Sequence, residues 1–251
     1  VLVHDKVRMT GDAIAAVAAD TKEIAEQAIS LIDVEYEELP AVLDPLQAME
    51  SSAPVIHPDL AGYKGLLHKI ESPSNVFVHL TWKKGEVEDG FRQSDIIVER
   101  TYSVPAVHQA YIEPHCCLVR VNSGGSAEIW ASTKSPFNLR EQVGNALQVL
   151  PSSLIVHPCY VGGDFGGKGD ANEVALCYAL AKKSGRPVKL LWTRQEDMQH
   201  GMFRDRSVTV PYHPFLMELR CFFVAEFCGD RTERFRGARR SRRWWCAKTA
   251  G

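Results

Sequence analysis

The sequence contains 251 residues, of which 45% are hydrophobic and 24% are charged, and its formal net charge is −2. This length and composition allow two modest domains with apolar cores, and the near-neutral charge argues against a nucleic-acid partner. The sequence has no charged-then-apolar leader and no apolar run near ~18 residues, so neither a signal peptide nor a membrane span is predicted. The seven cysteines lack the spacing of a metal site, a cluster or a disulfide framework. We therefore expect a cytoplasmic protein with reduced thiols.

The first part of the chain is predicted to form a small α/β unit. Residues 6–10 alternate polar and apolar side chains, residues 13–18 are apolar, and residues 33–38 alternate acidic and apolar side chains, which is typical of strands. Asp20 is predicted to cap a helix, with a glutamate three positions later as in a capping box. The predicted buried face of this helix consists of Ile24, Ala28, Leu31 and Ile32.

Residues 46–75 are predicted to be a surface linker, because they are rich in Pro, Ser, Gly and His and lack periodicity. His57 and His68 lie in this segment. Neither has the paired Cys or carboxylate spacing of a metal site, so both are predicted to be solvated.

A second α/β region is predicted from Asn75 onward. Its patterns indicate a turn or short helix over residues 84–91. They also indicate a longer helix that is capped by Ser135, begins at Pro136 and ends at Leu150. The predicted strands cover residues 77–82, 96–104, 117–122 and 127–131.

Two titratable residues, Glu113 and His115, precede the third of these strands. Such a pair is suited to general acid and base catalysis if a substrate lies within reach. A carboxylate beside a proline also commonly accepts hydrogen bonds from backbone amides in a turn. Both interpretations are open on sequence alone.

Residues 160–172, called the glycine loop below, contain five glycines and lie between a predicted strand and a predicted helix. The strand covers residues 153–156, and the helix covers residues 173–184, with Asn172 as its cap and Gly185 as its stop. The apolar face of this helix consists of Val174, Cys177, Tyr178 and Ala181. This order directs backbone N–H groups and the positive end of a helix dipole towards the loop, which favours an anion such as phosphate. The alternative is a glycine-rich turn without a ligand.

The glycine loop matches neither of two common phosphate-binding motifs. No register supplies the glycine spacing of a dinucleotide fingerprint. Gly162, Gly167 and Lys168 fit a P-loop, but Gly169 stands where a Ser or Thr would bind magnesium. Nucleotide binding is therefore the weaker hypothesis.

The last part of the chain changes character. Residues 186–193 are predicted to form a strand, and a loop and strand follow up to residue 210. From Arg220 to the end there are nine Lys or Arg residues against three acidic residues, with paired tryptophans. One interpretation is a basic tail for nucleic acid. The interpretation we favour is sequence read out of frame, since the segment lacks periodicity.

Residues 161–168, with the sequence VGGDFGGK, resemble the GGGFGGK loop of the molybdenum hydroxylases. These enzymes form the xanthine dehydrogenase and aldehyde oxidase family, which includes the large subunits of aerobic carbon monoxide dehydrogenases. Residues 34–41, VEYEELPA, resemble the end of the small hammerhead domain of that family. Residues 185–188 and 194–197 resemble its GRPV and R-x-E-D stretches, and the resemblance covers about residues 1–210.

The resemblance implies an α/β to α+β fold in four parts. These are the C-terminal part of a hammerhead domain at residues 1–45, a linker at 46–75, the N-terminal part of a molybdenum-cofactor-binding domain at 76–210, and an unassigned tail at 211–251.

The resemblance also implies the chemistry. The cofactor would be molybdenum with a pterin, either molybdopterin or its cytosine dinucleotide form, and the complete protein would hydroxylate an aldehyde or an N-heterocycle with oxygen from water. Electrons would pass to a small [2Fe–2S] subunit and a medium FAD-binding subunit. The implied cofactor-binding residues are Gly162, Gly163, Phe165, Gly166, Gly167 and Lys134.

Three positions depart from the family pattern. Lys134 stands where many relatives have a glutamine, and it is either a contact to an oxo group or pterin phosphate or a solvated lysine. Asp164 replaces the third glycine and is expected to adopt left-handed dihedral angles. Gly169 replaces a glutamate of purine-oxidising relatives, which argues against xanthine as the substrate.

The sequence has no initiator Met, and we expect a fragment of a longer protein. The catalytic glutamate of the family is expected beyond residue 251, so no catalytic residue is assigned. The alternative is that the chain has no catalytic function and is a truncated gene fragment without bound cofactor.

Overall fold

The computed structural model describes residues 2–63, 72–76, 86–99, 101–169 and 172–200, and the backbone of three short strands between residues 207 and 221. The chain divides into two units. The first comprises Val1–Glu38 and Val107–Arg204, and the second comprises Leu39–Ala106 and Asp205–Gly251.

The described chain has three helices, then four strands, and then helices and strands in alternation up to the last three strands. The helices are α1 (Lys22–Ser30), α2 (Pro45–Ala48), α3 (Val87–Arg92), α4 (Pro136–Leu147), α5 (Asn172–Ser184) and α6 (Arg194–His200). The strands are β1 (Ile96–Glu99), β2 (Tyr102–Val104), β3 (Cys116–Val121), β4 (Ala127–Ala131), β5 (Leu154–Pro158), β6 (Val188–Leu191), β7 (Ser207–Thr209), β8 (Tyr212–Leu216) and β9 (Arg220–Cys221).

The core of the first unit is a four-stranded sheet in the order β5-β4-β3-β6. β4 and β5 are parallel and are connected by α4, whereas β3 is antiparallel to both β4 and β6. Along β4, alternate side chains are buried, as expected for a strand with one face against helices. The buried apolar core includes Val119, Ile129, Leu139, Val143, Leu154 and Val174.

Helix α5 packs on this sheet with the face that its sequence predicts. Val174, Cys177, Tyr178 and Ala181 are all buried, because their 3.6-residue spacing places them on one side of the helix. The helix ends before Gly185, which has a φ of +67° and donates its N–H to the Ala181 carbonyl at 3.0 Å. Asn172, predicted as the cap, is instead the first helical residue.

The three strands predicted before residue 39 are wrong. The described residues 2–38 contain α1 but no strand. The Asp12 carboxylate accepts the N–H groups of Arg8 and Met9 at 2.8 and 3.2 Å, which makes a turn of residues 8–12. Alternation marks a segment able to pair, but a strand also needs a ladder of hydrogen bonds to a partner; here the N–H of Val3 donates to the Ala13 carbonyl at 2.8 Å without extending into such a ladder among the described residues.

Helix α1 forms with a different cap and a different environment from those predicted. The Thr21 hydroxyl, rather than Asp20, accepts the N–H of Ile24 at 3.3 Å, while Asp20 pairs with Arg186. The predicted buried face is exposed, with Ile24 51% and Leu31 84% accessible. The amphipathic pattern therefore marks a face that this part of the chain does not cover.

The second unit contains two small antiparallel sheets, with the orders β1-β8-β9 and β2-β7. The single strand predicted for residues 96–104 is two strands, since Ile96–Glu99 pairs with Tyr212–Leu216 and Tyr102–Val104 pairs with Ser207–Thr209. The segment after residue 211, where the periodic pattern fades, nevertheless contributes β8 and β9.

Other boundaries differ in ways that local chemistry explains. The predicted linker contains α2, which Asp44 caps, and a 3₁₀ turn at Leu60–Gly62. Helix α4 ends at Leu147 rather than Leu150, because Gln148 has a left-handed φ of +55°. The predicted strand at residues 77–82 and His68 lie outside the described residues. The longest described helix, α5, has 13 residues, and none of the described helices could cross a bilayer.

Candidate functional site

The glycine loop connects β5 to α5, and the structure describes it from residue 160 to residue 169. Gly163 and Gly166 have φ angles of +101° and +100°, which favour glycine over any residue with a Cβ atom. Phe165 also has a positive φ, +45°, and its side chain is 69% exposed. The loop therefore holds an exposed aromatic residue in a backbone conformation that is costly for a non-glycine residue.

Glu113 fastens the start and the end of the loop. Its carboxylate Oε2 accepts the N–H of Gly162 at 2.8 Å and the ammonium of Lys168, which is buried. Its own N–H donates to the Gly162 carbonyl at 3.2 Å. Of the two interpretations open for Glu113, the geometry confirms the carboxylate that binds backbone amides.

The engagement of Lys168 also bears on the nucleotide hypothesis. The lysine of a P-loop must reach the β- and γ-phosphates. Here Lys168 is 1% exposed as a residue, and its ammonium pairs with Glu113 and lies 4.9 Å from the centre of the Tyr111 ring. This lysine stabilises the loop from within, and the geometry disfavours a P-loop.

The Tyr111 side chain packs against the backbone of the glycine loop. A Cβ atom on Gly163 would lie 3.0 Å from Cβ of Tyr111, and one on Gly167 would overlap Cε1 of the same ring. A Cβ on Gly162 would lie 2.7 Å from Cβ of Glu113. Close approach therefore favours glycine at all three positions, and a positive φ favours it further at Gly163.

Replacing Gly167 by alanine is expected to lower the free energy of unfolding by about 2 kcal/mol, because the new methyl group meets a buried ring that has no room to move. Urea unfolding followed by circular dichroism measures the loss. Gly124→Ala is the matched control, since a Cβ there meets nothing within 4 Å, and it should change the free energy by less than about 0.5 kcal/mol. Equal effects of the two substitutions would show that Tyr111 does not constrain the loop.

Asp164 organises the turn of the loop through its side chain. Its carboxylate accepts the N–H groups of Gly166 at 2.9 Å and Lys168 at 2.6 Å, and the ammonium of Lys134 at 3.0 Å. The expectation that Asp164 itself adopts left-handed dihedral angles is wrong, because the positive φ angles fall on its neighbours Gly163, Phe165 and Gly166. From the sequence, Lys134 was expected either to contact the cofactor or to be solvated, whereas in the structure it forms an ion pair with Asp164.

The same contacts set the ionisation of Asp164. Burial alone would raise the pKa of this carboxyl group, but the N–H of Gly166, the Lys134 ammonium and the N–H of Lys168 outweigh burial and lower the pKa. A lowered pKa in the folded state means that the ionised carboxylate stabilises the fold above about pH 4, and that this stabilisation is lost as the pH falls through the lowered pKa.

The substitution Asp164→Asn is expected to destabilise the chain more at about pH 6 than at about pH 3, because the protonated wild-type carboxyl group resembles the amide. Urea unfolding of wild type and variant across this range measures the difference. A difference that is independent of pH would contradict the assigned role of the ionised Asp164.

A buried polar cluster lies below the loop, and sequence reasoning did not identify it as a unit. Asp197 is fully buried and accepts hydrogen bonds from the Tyr111 hydroxyl at 3.2 Å and from Nδ1 of His115 at 2.6 Å. Arg194 pairs with the other Asp197 oxygen at 3.2 Å and donates to the Tyr111 and Ile112 carbonyls. His115 is thus a buried structural partner of Asp197. Sequence offers one signal for the cluster, the R-x-E-D spacing of Arg194 and Asp197.

The six site residues predicted from the sequence, Lys134 and five residues of the glycine loop, differ in the hydrogen bonds that they make. The N–H groups of Gly162, Gly166 and Gly167 donate within the chain, to Glu113 or Asp164. Among the described residues, the N–H groups of Gly163 and Phe165 have no acceptor. An exposed aromatic side chain beside unpaired amides fits a ligand with polar oxygen or nitrogen atoms.

The described residues do not form a metal site by themselves. No group of three or more His, Cys, Asp or Glu side chains converges anywhere in the described ranges. Cys116, Cys117, Cys159 and Cys177 form no disulfide.

Sequence profiles of two protein domains match the chain. The profile of the molybdopterin cofactor-binding domain matches residues 67–211, and that of the aldehyde oxidase and xanthine dehydrogenase a/b hammerhead domain matches residues 1–40. Both matches agree with the α/β to α+β fold class expected from the sequence.

Two similar proteins are also named as subunits of molybdopterin or xanthine dehydrogenase enzymes. The chain is 35% identical over 204 residues to a probable xanthine dehydrogenase subunit of Bacillus subtilis, covering 81% of this chain and 26% of the relative. It is 32% identical over 219 residues to the nicotinate dehydrogenase large molybdopterin subunit of Eubacterium barkeri, covering 87% of this chain and 46% of that relative. The chain thus spans less than half the length of these relatives.

Solved structures share the fold. The structure matches quinoline 2-oxidoreductase from Pseudomonas putida 86 with a TM-score of 0.73 at 26% identity, covering 88% of this chain and 27% of that chain. It matches the aldehyde oxidoreductase from Desulfovibrio gigas with a TM-score of 0.73 at 25% identity, covering 85% of this chain and 22% of that chain.

Proposed function

The chain belongs to the aldehyde oxidase and xanthine dehydrogenase family of molybdopterin-binding large subunits, and from this premise we propose that its glycine loop contributes to a molybdenum–pterin cofactor site in the complete protein. The observation that carries the proposal is the exposed, left-handed Phe165, together with the N–H groups of Gly163 and Phe165 that find no acceptor among the described residues. Strain of this kind at an exposed aromatic residue is typical of functional sites.

The residues divide into those that would contact the cofactor and those that hold the loop in shape. Gly163 and Phe165 would contact it through backbone N–H groups, with Gly162, Gly166 and Gly167 providing the close-approach backbone around them. Glu113 and Asp164 fix that backbone from within. Lys134 pairs with Asp164, and its exposed ammonium group has further N–H donors that would be available to the cofactor.

When bound, a molybdenum–pterin cofactor supplies the hydroxylation of a carbon with oxygen taken from water and accepts two electrons. This chain positions it and shapes the access to it. The pterin is either molybdopterin or its cytosine dinucleotide form. The exposed side of Phe165 is the part of the described loop on which a flat group of the cofactor or the substrate would pack.

An aldehyde or an N-heterocycle is the proposed substrate class of the complete protein. The names of the relatives support both, since nicotinate and quinoline are N-heterocycles and one structural match is an aldehyde oxidoreductase. Oxidation assays with one compound of each kind, run in ¹⁸O-labelled water with a dye as electron acceptor, test the proposal. Product without ¹⁸O, or no product from a molybdenum-loaded protein with either class, would contradict it.

Partner subunits with [2Fe–2S] clusters and FAD are proposed as the route for the electrons. The names of the relatives designate subunits, which supports a complex of several chains. The four described cysteines that form no disulfide do not converge on a cluster site within the described residues. Co-purification of iron and flavin with this chain, when it is produced together with its neighbouring gene products, tests the proposal.

Replacing Phe165 by glycine is expected to separate folding from cofactor binding. The glycine relieves the left-handed strain, so the chain without cofactor should be as stable as wild type or more stable by up to about 1 kcal/mol. Molybdenum retention should fall about tenfold, the factor that corresponds to losing roughly 1.4 kcal/mol of contact. Metal analysis after gel filtration measures it.

Tyr36→Ala is the control for that experiment, because Tyr36 is an exposed aromatic residue outside the glycine loop. It should leave molybdenum retention unchanged. If the Phe165 variant is stable and retains molybdenum as well as wild type does, Phe165 is not part of the site.

A further inference from the structure

Three N–H groups of the glycine loop donate to a single residue, Asp164. Gly166 and Lys168 donate to its carboxylate at 2.9 and 2.6 Å, and Gly167 donates to its carbonyl at 2.7 Å. The Lys134 ammonium adds a charged donor at 3.0 Å from Oδ2. One carboxylate therefore collects two backbone amides and a lysine.

This set of donors is what proteins use to bind small oxyanions. Phe165 and Gly166, with positive φ angles, form a tight turn that is closed by the N–H of Gly167 on the Asp164 carbonyl, and successive N–H groups of such a turn can make a concave, positively polarised site for an anion. A lysine beside such a site adds a point charge that binds phosphate well. Carboxylate and phosphate oxygens accept from the same donors at the same distances, so they compete for one place.

We propose that Asp164 is an internal anion that occupies an oxyanion site formed by the N–H groups of Gly166 and Lys168 and the ammonium of Lys134, and that it thereby excludes small external oxyanions from the loop. The two positions that depart from the family pattern next to this site, Lys134 and Asp164, act as one unit. This role of Asp164 goes beyond the proposed cofactor function and depends only on the hydrogen bonds of the loop.

The site is accessible enough for competition to be measured. The Lys134 side chain is 46% exposed and that of Asp164 is 20% exposed, so an ion from solution reaches the pair without unfolding of the core. A tethered carboxylate acts at an effective concentration on the order of millimolar or more, so its removal strengthens the binding of a free competitor. Burial would raise the pKa of Asp164, but the same donors lower it, so they bind the ionised form more strongly than the neutral form.

Inorganic phosphate binding to the full chain, measured by isothermal titration calorimetry without molybdenum, tests the inference. Asp164→Ala should bind phosphate at least about tenfold more tightly than wild type. Adding Lys134→Gln to that variant should weaken phosphate binding again by about tenfold, because a charged donor is lost. Asp164→Asn, which fills the same space without charge, should give an intermediate gain.

Asp12→Ala is the matched control. The Asp12 carboxylate also accepts two backbone amides, those of Arg8 and Met9, but no lysine ammonium within bonding distance completes a site among the described residues. This variant should bind phosphate no better than wild type. An equal gain in both aspartate variants would overturn the inference, since any exposed pair of amides would then suffice.

The inference is also overturned if neither Asp164→Ala nor Asp164→Asn binds phosphate more tightly than wild type. Should Asp164→Ala be unfolded in buffer, phosphate-dependent recovery of its circular dichroism spectrum takes the place of titration, and no recovery counts against the inference. Because the assay contains no molybdenum, its outcome is independent of whether the loop binds the proposed cofactor.

Discussion

Replacing Asp197 by alanine is expected to lower the free energy of unfolding by about 4 kcal/mol, the largest effect of any single substitution considered. Asp197 is fully buried, and its two oxygens accept hydrogen bonds from Tyr111, His115 and Arg194. Removing it leaves the buried Tyr111 hydroxyl and His115 Nδ1 without this acceptor, while the Arg194 side chain, which is 45% exposed, loses its ion pair but remains accessible to water. Urea unfolding of wild type and variant measures the loss.

Asp20→Ala is the matched control for that measurement. Asp20 also pairs with an arginine, Arg186, but both side chains are 72% exposed. An ion pair so accessible should contribute less than about 0.5 kcal/mol. If Asp197→Ala lowers the free energy of unfolding no more than Asp20→Ala does, the buried cluster around Asp197 does not stabilise the fold.

Replacing Glu113 by alanine is expected to lower the free energy of unfolding by about 3 kcal/mol and to loosen the glycine loop. The Lys168 ammonium is buried, so the loss of its partner leaves a charge that water does not reach. The N–H of Gly162 loses its acceptor as well. Unfolding by urea measures stability, and amide hydrogen exchange at Gly162 and Lys168 measures the loosening.

Two further variants separate charge from packing at this pair. The double substitution Glu113→Ala with Lys168→Met removes both charges and should recover at least half of the loss, because no unpaired charge remains. Glu26→Ala removes the exposed pair with Lys22 and should cost less than about 0.5 kcal/mol. If the double variant is no more stable than Glu113→Ala, the unpaired charge of Lys168 is not the cause of the loss.

The parts of the fold that sequence predicted are those set by local chemistry. The strand, glycine loop and helix from Leu154 to Ser184 follow from sequence because their apolar periods and the stop at Gly185 lie close together, although the predicted cap, Asn172, is the first helical residue. β4 was located to the residue for the same reason. Glycines 162, 163, 166 and 167 are implied as cofactor-binding residues by the resemblance of their loop to that of the family, and this role stays a prediction.

The parts that sequence missed depend on contacts between distant segments. Lys134 and Asp164 are 30 residues apart, and each was interpreted alone as a departure from the family pattern, whereas the structure joins them. The Tyr111 hydroxyl donates a hydrogen bond to Asp197, which lies 86 residues further along the chain. The strands predicted near the N-terminus failed in the opposite way, since alternation of side chains says nothing about the presence of a pairing partner.

We propose that the glycine loop contributes to a molybdenum–pterin cofactor site in the complete protein. The most direct measurement is the molybdenum and pterin content per chain, determined on protein produced together with its neighbouring gene products and purified by gel filtration. We expect stoichiometric molybdenum and pterin in wild type and a fall of about tenfold in both for Phe165→Gly, with folding intact. A folded wild-type chain that carries no molybdenum would contradict it, and would favour a non-catalytic product without bound cofactor.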